Sequence, residues 1–160
     1  TSEMNFLNNK IKSIKFEPIT TALNSRRVAH FGYYYSYDRS GLKVAPPIPG
    51  HMRTLITQSK LKQIILPKEF DQLIINEYKP GQRISAHTDH IKQFGPIIAC
   101  ISLGQSVPIT FTLGSIKKTF NIESGSLYIM TKESRYKWLH SLINSGPNIR
   151  YSLTFRNVSI

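Results

Sequence analysis

Six short β-rich runs follow one another from residue 70 to the end of the chain. They are separated by Gly, Pro, Ser or Asn, and they read FDQLIINEY, IIACISL, PITFTL, KTFNI, SLYIM and RYSLTFRNV. Runs of this length, divided by turn residues, are typical of a β-sandwich or a small barrel. A chain of 160 residues has room for one such unit with a real core. We therefore predict a jelly-roll core over about residues 70–160.

The N-terminal part, about residues 1–69, has a different texture. Residues 41–50 hold three prolines and two glycines, which predicts a loop. Residues 52–65 space their apolar side chains in a loosely helical pattern, which Pro67 ends. We predict one mixed α+β domain over residues 1–160, in which this part places a helix against one sheet and loops over an open mouth.

A tyrosine-rich segment, RRVAHFGYYYSY, covers residues 26–37. Tyr33, Tyr35 and Tyr37 occupy every second position, which predicts a strand or one arm of a hairpin. Such an arm is a candidate lid over the mouth of the core. Ordinary aromatic packing within a hairpin is the alternative interpretation.

Basic side chains outnumber acidic ones by 21 to 9, which gives a formal net charge of +12. Residues 1–62 carry 10 basic and 3 acidic side chains, and the remainder carries 11 and 6. This even spread predicts a basic surface on a folded domain, with an anionic partner. Nucleic acid is the most economical partner, and membrane lipids or simple solubility are the alternatives.

The cysteine content and the length of the apolar runs predict where the protein is located. Cys100 is the single cysteine, so the chain has no internal disulfide, which favours a reducing, intracellular location. No apolar run approaches the roughly 20 residues of a bilayer span, so we expect no membrane association. Because the first residue is Thr1, we expect the chain to be part of a longer protein.

The segment HTDH at residues 87–90 is the first candidate for chemistry. On a strand, residues i and i+2 face the same side, so His87 and Asp89 are predicted to aim at one point. One more histidine would complete a set of two imidazoles and one carboxylate, which suits non-haem Fe(II). The candidates for that third ligand are His140, which we prefer, and His30, His51 and His90. An H-x-D without a metal is the alternative that this motif alone leaves open.

The second candidate lies in the last run of the chain. Arg150 and Arg156 are six residues apart, so they share one face of a strand. Two guanidinium groups that face a barrel interior need anions, and a small dicarboxylate would pair with them. A basic edge strand that touches phosphates is the alternative.

Together these residues match a known family. The order N-x-Y-x-P-G, H-x-D, H and R-x-x-x-x-x-R resembles the AlkB-like Fe(II)/2-oxoglutarate dioxygenases over about residues 72–158. The residues that carry the resemblance are Asn76, Tyr78, Pro80, Gly81, His87, Asp89, His140, Arg150 and Arg156. RRVAHFGYYYSY, NEYKPGQRISAHTDH and MTKESRYKWLH also resemble the AlkB domain of the tRNA wobble-uridine hydroxylases. The resemblance implies that the core is a double-stranded β-helix, the jelly roll of this family.

The resemblance also implies cofactors and roles. Fe(II) would be held by His87, Asp89 and His140, with O2 as cosubstrate. For 2-oxoglutarate, Arg150 would pair with the distal carboxylate, with Asn76 and Tyr78 as polar partners. Arg156 would lie near the carboxylate at the iron end. Ser152 stands where the bacterial repair enzyme has Asn, which implies a hydrogen bond to the cosubstrate that is shorter or mediated by water.

For the substrate, the resemblance implies a modified or alkylated nucleobase in RNA or single-stranded DNA. Candidate binding residues are Arg26 and Arg27 for phosphate, and Tyr33, Tyr35 and Tyr37 for stacking on a base. Trp138 is expected to be core or pocket wall, and Lys117 and Lys118 a solvated turn. Hydroxylation or demethylation of a protein side chain, or a jelly-roll module without turnover, are the competing functions. The sequence does not identify a protein partner.

Overall fold

The computed structural model describes residues 2–35, 42–58 and 68–159. Three helices lie within these ranges: α1 (Ser2–Lys12), α2 (Gly50–Gln58) and α3 (Lys132–Tyr136). The strands of the N-terminal part are β1 (Glu17–Pro18), β2 (Arg27–Phe31), β3 (Tyr33–Tyr34) and β4 (Lys43–Val44). The strands of the core are β5 (Gln72–Tyr78), β6 (Arg83–His87), β7 (Ile98–Gly104), β8 (Val107–Leu113), β9 (Ile116–Ile122), β10 (Leu127–Met130), β11 (Leu139–Ile143) and β12 (Arg150–Arg156).

The core strands form two sheets. The major sheet has the order β1-β2-β5-β12-β7-β10, and the minor sheet has the order β6-β11-β8-β9. The neighbours in both sheets are antiparallel. Consecutive strands alternate between the sheets at several points, since β5 and β7 lie in one and β6 and β8 in the other. This arrangement confirms the predicted mixed α+β fold with a jelly-roll core.

The central strand β12 shows why the sequence folds in this way. Its odd and even positions alternate between two faces, because successive side chains of a strand point to opposite sides. Leu153 and Phe155 belong to the apolar core that also contains Ile11 of α1 and Met52 of α2. The helices therefore cover one face of the major sheet, as predicted for the N-terminal part. The opposite face carries polar side chains, and it looks toward the minor sheet.

A tight turn passes the chain from the major sheet to the minor sheet. The backbone N–H of Gln82 donates to the carbonyl of Lys79 at 3.0 Å, and Gly81 has a φ of +85°. Pro80 and Gly81 thus occupy the two central positions of a type II turn, where a proline and then a glycine are favoured. The P-G of the sequence motif determines where β6 begins, and β6 carries the first metal-ligand candidate.

The six predicted β-rich runs correspond to β5, β7, β8, β9, β10 and β12. A strand was also predicted through His87 and Asp89, and the structure has β6 there, but β6 ends at His87. Strand β11 was not predicted. The sequence analysis also assigned residues 41–50 entirely to a loop. In the structure, Lys43–Val44 pairs with Tyr33–Tyr34, and Gly50 already begins α2.

Three further predictions concern the N-terminal part and one hairpin. Helix α1 was not foreseen as a separate element, and α2 is described only as far as Gln58, so the later part of the predicted helix lies outside the described residues. Tyr37 also lies outside them. Lys117 and Lys118 were assigned to a turn, but they lie within β9, because the turn falls earlier, at Gly114.

Gly32 separates β2 from β3 within the tyrosine-rich segment. Its φ is +80°, and a Cβ at this position would collide with the backbone carbonyl of Asp71, the residue that precedes β5. The backbones therefore approach each other more closely than any other residue type allows. This contact fixes the point at which the chain leaves the major sheet toward the mouth.

We predict that Gly32→Ala lowers the free energy of unfolding by at least about 1–3 kcal/mol, because the substitution combines a left-handed φ with a backbone collision. Urea denaturation followed by circular dichroism measures the change. Gly50→Ala is the matched control, since a Cβ at Gly50 has no neighbour within 4 Å and its φ is not left-handed. Equal stability of the two variants would show that the close approach at Gly32 is absent.

Candidate metal centre and cosubstrate cavity

Two histidines face each other across a pair of neighbouring strands. His87 ends β6, and His140 lies in β11 directly opposite it in the antiparallel register. Their ring centroids are 4.3 Å apart. Opposed residues of an antiparallel pair carry their side chains on the same face, so strand pairing alone brings the two imidazoles together.

Asp89 completes the group from the loop after β6. Its Oδ1 lies 3.6 Å from Nε2 of His87 and 3.5 Å from Nε2 of His140. One ligand atom from each of the three residues lies within 4.8 Å of the others. The three residues that the sequence singled out therefore converge, and His140 is the third member as preferred. The reason given for Asp89 was wrong, however, because β6 ends at His87 and the turn of the following loop aims the carboxylate.

The two imidazoles are prepared to ligate a metal. Nδ1 of His87 lies 2.7 Å from the carbonyl of Ser85, so this nitrogen donates its proton and Nε2 keeps a lone pair. Burial lowers the pKa of His140 to about 4. His140 is therefore neutral at physiological pH, which is the form that binds a metal.

Asp89 is buried, but its charge is compensated. Arg156 donates from Nε to Oδ2 at 2.6 Å, and its Nη2 lies 2.6 Å from the same oxygen. Burial alone would raise the pKa of Asp89, but the positive charge of Arg156 holds the pKa well below its usual range. Because Arg156 occupies Oδ2, Oδ1 is left facing the two histidines.

A narrow cavity lies behind this group, against the polar face of the major sheet. Its lining includes every residue that the sequence analysis assigned to 2-oxoglutarate, namely Asn76, Tyr78, Arg150, Ser152 and Arg156. Strand pairing explains their assembly, because Ser152 is opposite Asn76 and Arg150 is opposite Tyr78. The cavity also contains residues that were not singled out for it, namely Cys100, Tyr128 and Thr154.

Arg150 is the most deeply buried cation of the cavity, at 1% exposure. Its Nε donates to Oγ of Ser102 at 3.0 Å, and its guanidinium lies 5.3 Å from the centre of the Tyr78 ring. Among the described residues, Nη2 of Arg150 and Nη1 of Arg156 have no hydrogen-bond partner. Buried N–H groups that lack a partner are costly, and a carboxylate is their natural acceptor. The cavity thus suits a small dicarboxylate.

A wider cleft of about 510 Å³ opens on the other side of His87 and Asp89. Its rim carries Arg26 and Arg83, and Tyr35 packs on Phe94 with ring centroids 5.4 Å apart. Arg26 also donates to Oδ1 of Asn76 at 3.3 Å and to the carbonyl of Arg83 at 3.0 Å. This cleft combines cations and aromatic rings beside the metal-ligand candidates.

Not every predicted substrate residue reaches the cleft. Arg27 pairs instead with the buried carboxylate of Glu77 at 2.7 Å, because the two residues are opposite each other in the β2–β5 register. Tyr33 lies in β3 and is not part of the lining. Of the rival histidines, His30 and His51 lie elsewhere. His90 lines the cleft but does not belong to the three-residue group.

Arg135 is a positioning residue that the sequence analysis did not assign. It is 2% exposed, and its guanidinium donates to the backbone carbonyls of Asp89 at 2.9 Å and His90 at 3.2 Å. It also reaches the carbonyls of Phe94 at 3.1 Å and Gly95 at 3.0 Å. One side chain thus holds the whole loop from which the carboxylate of Asp89 projects. Arg135 lies in the segment MTKESRYKWLH, which was noted as part of the resemblance. Its positioning role could not be predicted, because its hydrogen-bond partners lie about 40 residues earlier in the sequence.

A family model described as the 2OG-Fe(II) oxygenase superfamily matches residues 5–156. The chain belongs to this superfamily. Fe(II) and 2-oxoglutarate are the cofactors of its members, and the group of His87, Asp89 and His140 together with the adjoining cationic cavity fits both. The chain is accordingly a 2-oxoglutarate-dependent oxidoreductase by family.

Relatives place the chain among the AlkB-like members of the superfamily. The tRNA (carboxymethyluridine(34)-5-O)-methyltransferase alkbh8 of Xenopus tropicalis is 33% identical over 82% of this chain and 22% of the relative. The mouse protein of the same name is 34% identical over 76% of this chain and 19% of the relative. An uncharacterised protein of Acanthamoeba polyphaga mimivirus is 34% identical over 83% of this chain and 70% of the relative. The chain thus spans about a fifth of the length of the animal relatives.

Solved structures support the fold. OsALKBH1 superposes with a TM-score of 0.68 at 15% identity, covering 97% of this chain and 91% of that one. A 2OG-Fe(II) oxygenase family protein of Burkholderia pseudomallei gives the same TM-score and identity, covering 98% and 78%. Among the described helices, none is long and apolar enough to cross a lipid bilayer.

We predict that Arg150→Lys weakens 2-oxoglutarate binding by about 10- to 100-fold, because an ammonium group cannot replace a planar guanidinium that pairs with a carboxylate. Calorimetric titration of the Fe(II)-loaded protein without O2 measures the dissociation constant. Arg53→Lys is the matched control, since Arg53 is half-exposed and pairs at the surface with Glu69 at 3.6 Å. An unchanged affinity in Arg150→Lys would mean that the dicarboxylate binds elsewhere.

We predict that Arg135→Lys weakens metal binding by about 10- to 100-fold, because the loop that presents Asp89 loses most of its four contacts. Titration with Co(II), followed by its visible absorption, measures both the affinity and the geometry of the site. The control is Lys137→Ala, because Lys137 pairs with the exposed Glu133 at 3.0 Å in the same part of the chain. A Co(II) spectrum and affinity like those of the unmodified protein would refute the positioning role.

Proposed function

We propose that this chain is an Fe(II)/2-oxoglutarate-dependent dioxygenase that oxidises a modified or alkylated nucleobase in nucleic acid. The observation that carries the proposal is the cleft beside the metal-ligand candidates, which combines three arginines with a packed pair of aromatic rings. Cations attract the phosphate backbone, and aromatic rings accept unstacked bases. The net charge of +12 supports the same class of substrate.

In this proposal His87, Asp89 and His140 hold Fe(II). When bound, the iron and 2-oxoglutarate supply the oxidising chemistry, in which O2 is reduced, 2-oxoglutarate gives succinate and CO2, and a substrate C–H bond is hydroxylated. Arg150 holds the distal carboxylate of 2-oxoglutarate, with Ser102 orienting its guanidinium through the 3.0 Å hydrogen bond. Arg156 keeps Asp89 ionised and leaves one carboxylate oxygen available to the metal.

Other cavity residues shape the site for the cosubstrate. Asn76, Tyr78 and Ser152 border the cavity on its major-sheet side and offer it an amide and two hydroxyls. The apolar residues Met130 and Leu142 also line it, which limits the access of water to the reacting groups. These roles match those that the resemblance implied.

The substrate assignment draws on the relatives as well. The animal relatives are named for an activity on a carboxymethyluridine of tRNA, and an Arabidopsis thaliana relative, 24% identical, is named an alkylated DNA repair protein homolog. Both names refer to nucleic acid. The chain covers only part of each relative, so we propose the class of substrate and test the modified base by experiment.

The test compares succinate formation from 2-oxoglutarate with total tRNA, with methylated single-stranded DNA and without substrate, while formaldehyde is measured in parallel. We expect nucleic acid to stimulate succinate formation. Formaldehyde would then indicate N-demethylation, because hydroxylation of an N-methyl group releases it, and its absence would indicate a stable alcohol. If neither nucleic acid stimulates turnover, the nucleobase assignment is wrong.

His87→Ala and Asp89→Ala should abolish succinate formation, because each removes a metal ligand, while the circular dichroism spectrum is retained. His51→Gln is the control, since His51 lies in α2 and packs against Phe6 with centroids 5.9 Å apart, away from the site. Full succinate production by either ligand variant would contradict the metal assignment.

A further inference from the structure

A second aromatic groove lies beside the metal centre, on the side of the minor sheet that ends at strand β9. It has a volume of about 330 Å³ and is lined by Phe111, Lys118, Phe120, Ser134 and Trp138. These residues come from β8, β9 and the α3 region. None of them belongs to the cleft or the cavity described above.

Strand register places the groove on the same face as the metal ligands. Phe111 of β8 is opposite Lys118 of β9, and it is also opposite His140 of β11. Opposed residues share a face, so all three side chains project to the inner side of the minor sheet. Thr110 and Thr119 form a hydrogen bond of 3.0 Å between their hydroxyls, and they mark the other face of the same hairpin.

A chain of ring contacts joins the groove to the metal centre. The ring of Phe111 lies 6.1 Å from that of His140 and 6.1 Å from that of Phe120. Phe120 is therefore no more than about 12 Å from a metal-ligand candidate. At this separation, a strand with one nucleotide at the metal centre would carry a neighbouring nucleotide into the groove.

The groove exposes aromatic surface to solvent. Phe120 is 53% exposed although it lies within a strand, and β9 is the edge strand of the minor sheet. Lys118 holds its ammonium group 5.8 Å from the centre of the Trp138 ring. Exposed aromatic rings next to a lysine are the elements that single-stranded nucleic acid uses, since bases stack on the rings and phosphates pair with the cation.

The local charge favours an anionic occupant. Residues 107–139 expose four lysines and two acidic side chains, whereas Arg135 is buried. One of the acids, Glu133, is already paired with Lys137 at 3.0 Å. An anionic strand would therefore meet a basic surface here, whereas a second copy of this basic chain would meet charge of its own sign.

We propose that this groove is a second nucleobase-binding site, which takes a nucleotide that flanks the target in single-stranded nucleic acid. The base stacks on Phe120 and Trp138, and Lys118 contacts the adjoining phosphate. This inference rests on the proposed function, because it requires nucleic acid as substrate. It makes Trp138 a binding surface, whereas the sequence analysis expected core or pocket wall.

Trp138 is the single tryptophan of the chain, so its fluorescence reports on the groove alone. The experiment titrates the Fe(II)- and 2-oxoglutarate-loaded protein, without O2, with a nine-nucleotide single-stranded RNA and with uridine monophosphate. Fluorescence anisotropy of a labelled RNA measures binding independently of the tryptophan. We expect the RNA to quench Trp138 with the same dissociation constant that anisotropy gives. Uridine monophosphate, which lacks a flanking nucleotide, should leave the emission at its initial intensity at concentrations that fill the target position.

Phe120→Ala should weaken RNA binding by about 5- to 30-fold, the usual effect of losing one stacked base. Lys118→Gln should weaken it less, and should reduce its dependence on salt concentration. Thr119→Ala is the matched control, because Thr119 lies between these two residues on the opposite face of β9. Its affinity should equal that of the unmodified protein.

The failures are distinguishable. RNA that binds by anisotropy, without quenching Trp138 and with equal affinity for Phe120→Ala, would overturn the second site and leave the proposed function standing. If neither this RNA nor a single-stranded DNA of the same length binds, both proposals are overturned. A Trp138 emission that changes with protein concentration in the absence of RNA would assign the groove to self-association instead.

Discussion

The ion pair between Asp89 and Arg156 is the interaction on which the rest of the site depends. A buried carboxylate is stable only when its charge is compensated, and removing one partner of such a pair costs about 3–5 kcal/mol. Arg156 reaches Asp89 from β12 of the major sheet, whereas His87 and His140 approach from the minor sheet. The pair therefore joins the two sheets at the metal centre. The pair also gives the two carboxylate oxygens of Asp89 different surroundings, since Oδ2 binds Arg156 and Oδ1 faces the two imidazoles.

Strand alternation separates stability from function in the major sheet. In β12 the even-numbered positions, from Arg150 to Arg156, line the cavity, while Leu153 and Phe155 bind the sheet to the helices. The same strand thus supplies the best-packed apolar residues and the most deeply buried cation. The polar face is tolerated because strand neighbours satisfy part of it, as Ser102 does for Arg150. The N–H groups of Arg150 and Arg156 that have no partner among the described residues are the ones available to bind a ligand in the cavity.

The sequence predicted the parts of the fold and site that follow from short-range pattern. Six strands contain runs of β-favouring residues that can be recognised in the sequence. The spacing of Arg150 and Arg156 also predicted that both side chains lie on one face of a strand. Strands β6 and β11 lacked such runs, since each buries few apolar side chains and is held by pairing with its neighbours. Arg135 had no local signal at all, since its partners are carbonyls about 40 residues earlier in the chain. Arg26 and Arg27 look equivalent in sequence, but Arg27 is opposite Glu77 in the β2–β5 register, whereas Arg26 reaches Asn76.

The opposition of His87 and His140 in the β6–β11 register also constrains how this chain can vary in length. A shift of one residue turns every side chain of a strand to the other face, so a single insertion within Leu139–Ile143 would carry the imidazole out of the site. The pairing already contains one irregularity, between His140 and Leu142, and has little room for another. Natural length variation among relatives should therefore concentrate in connections between strands rather than within β6 or β11.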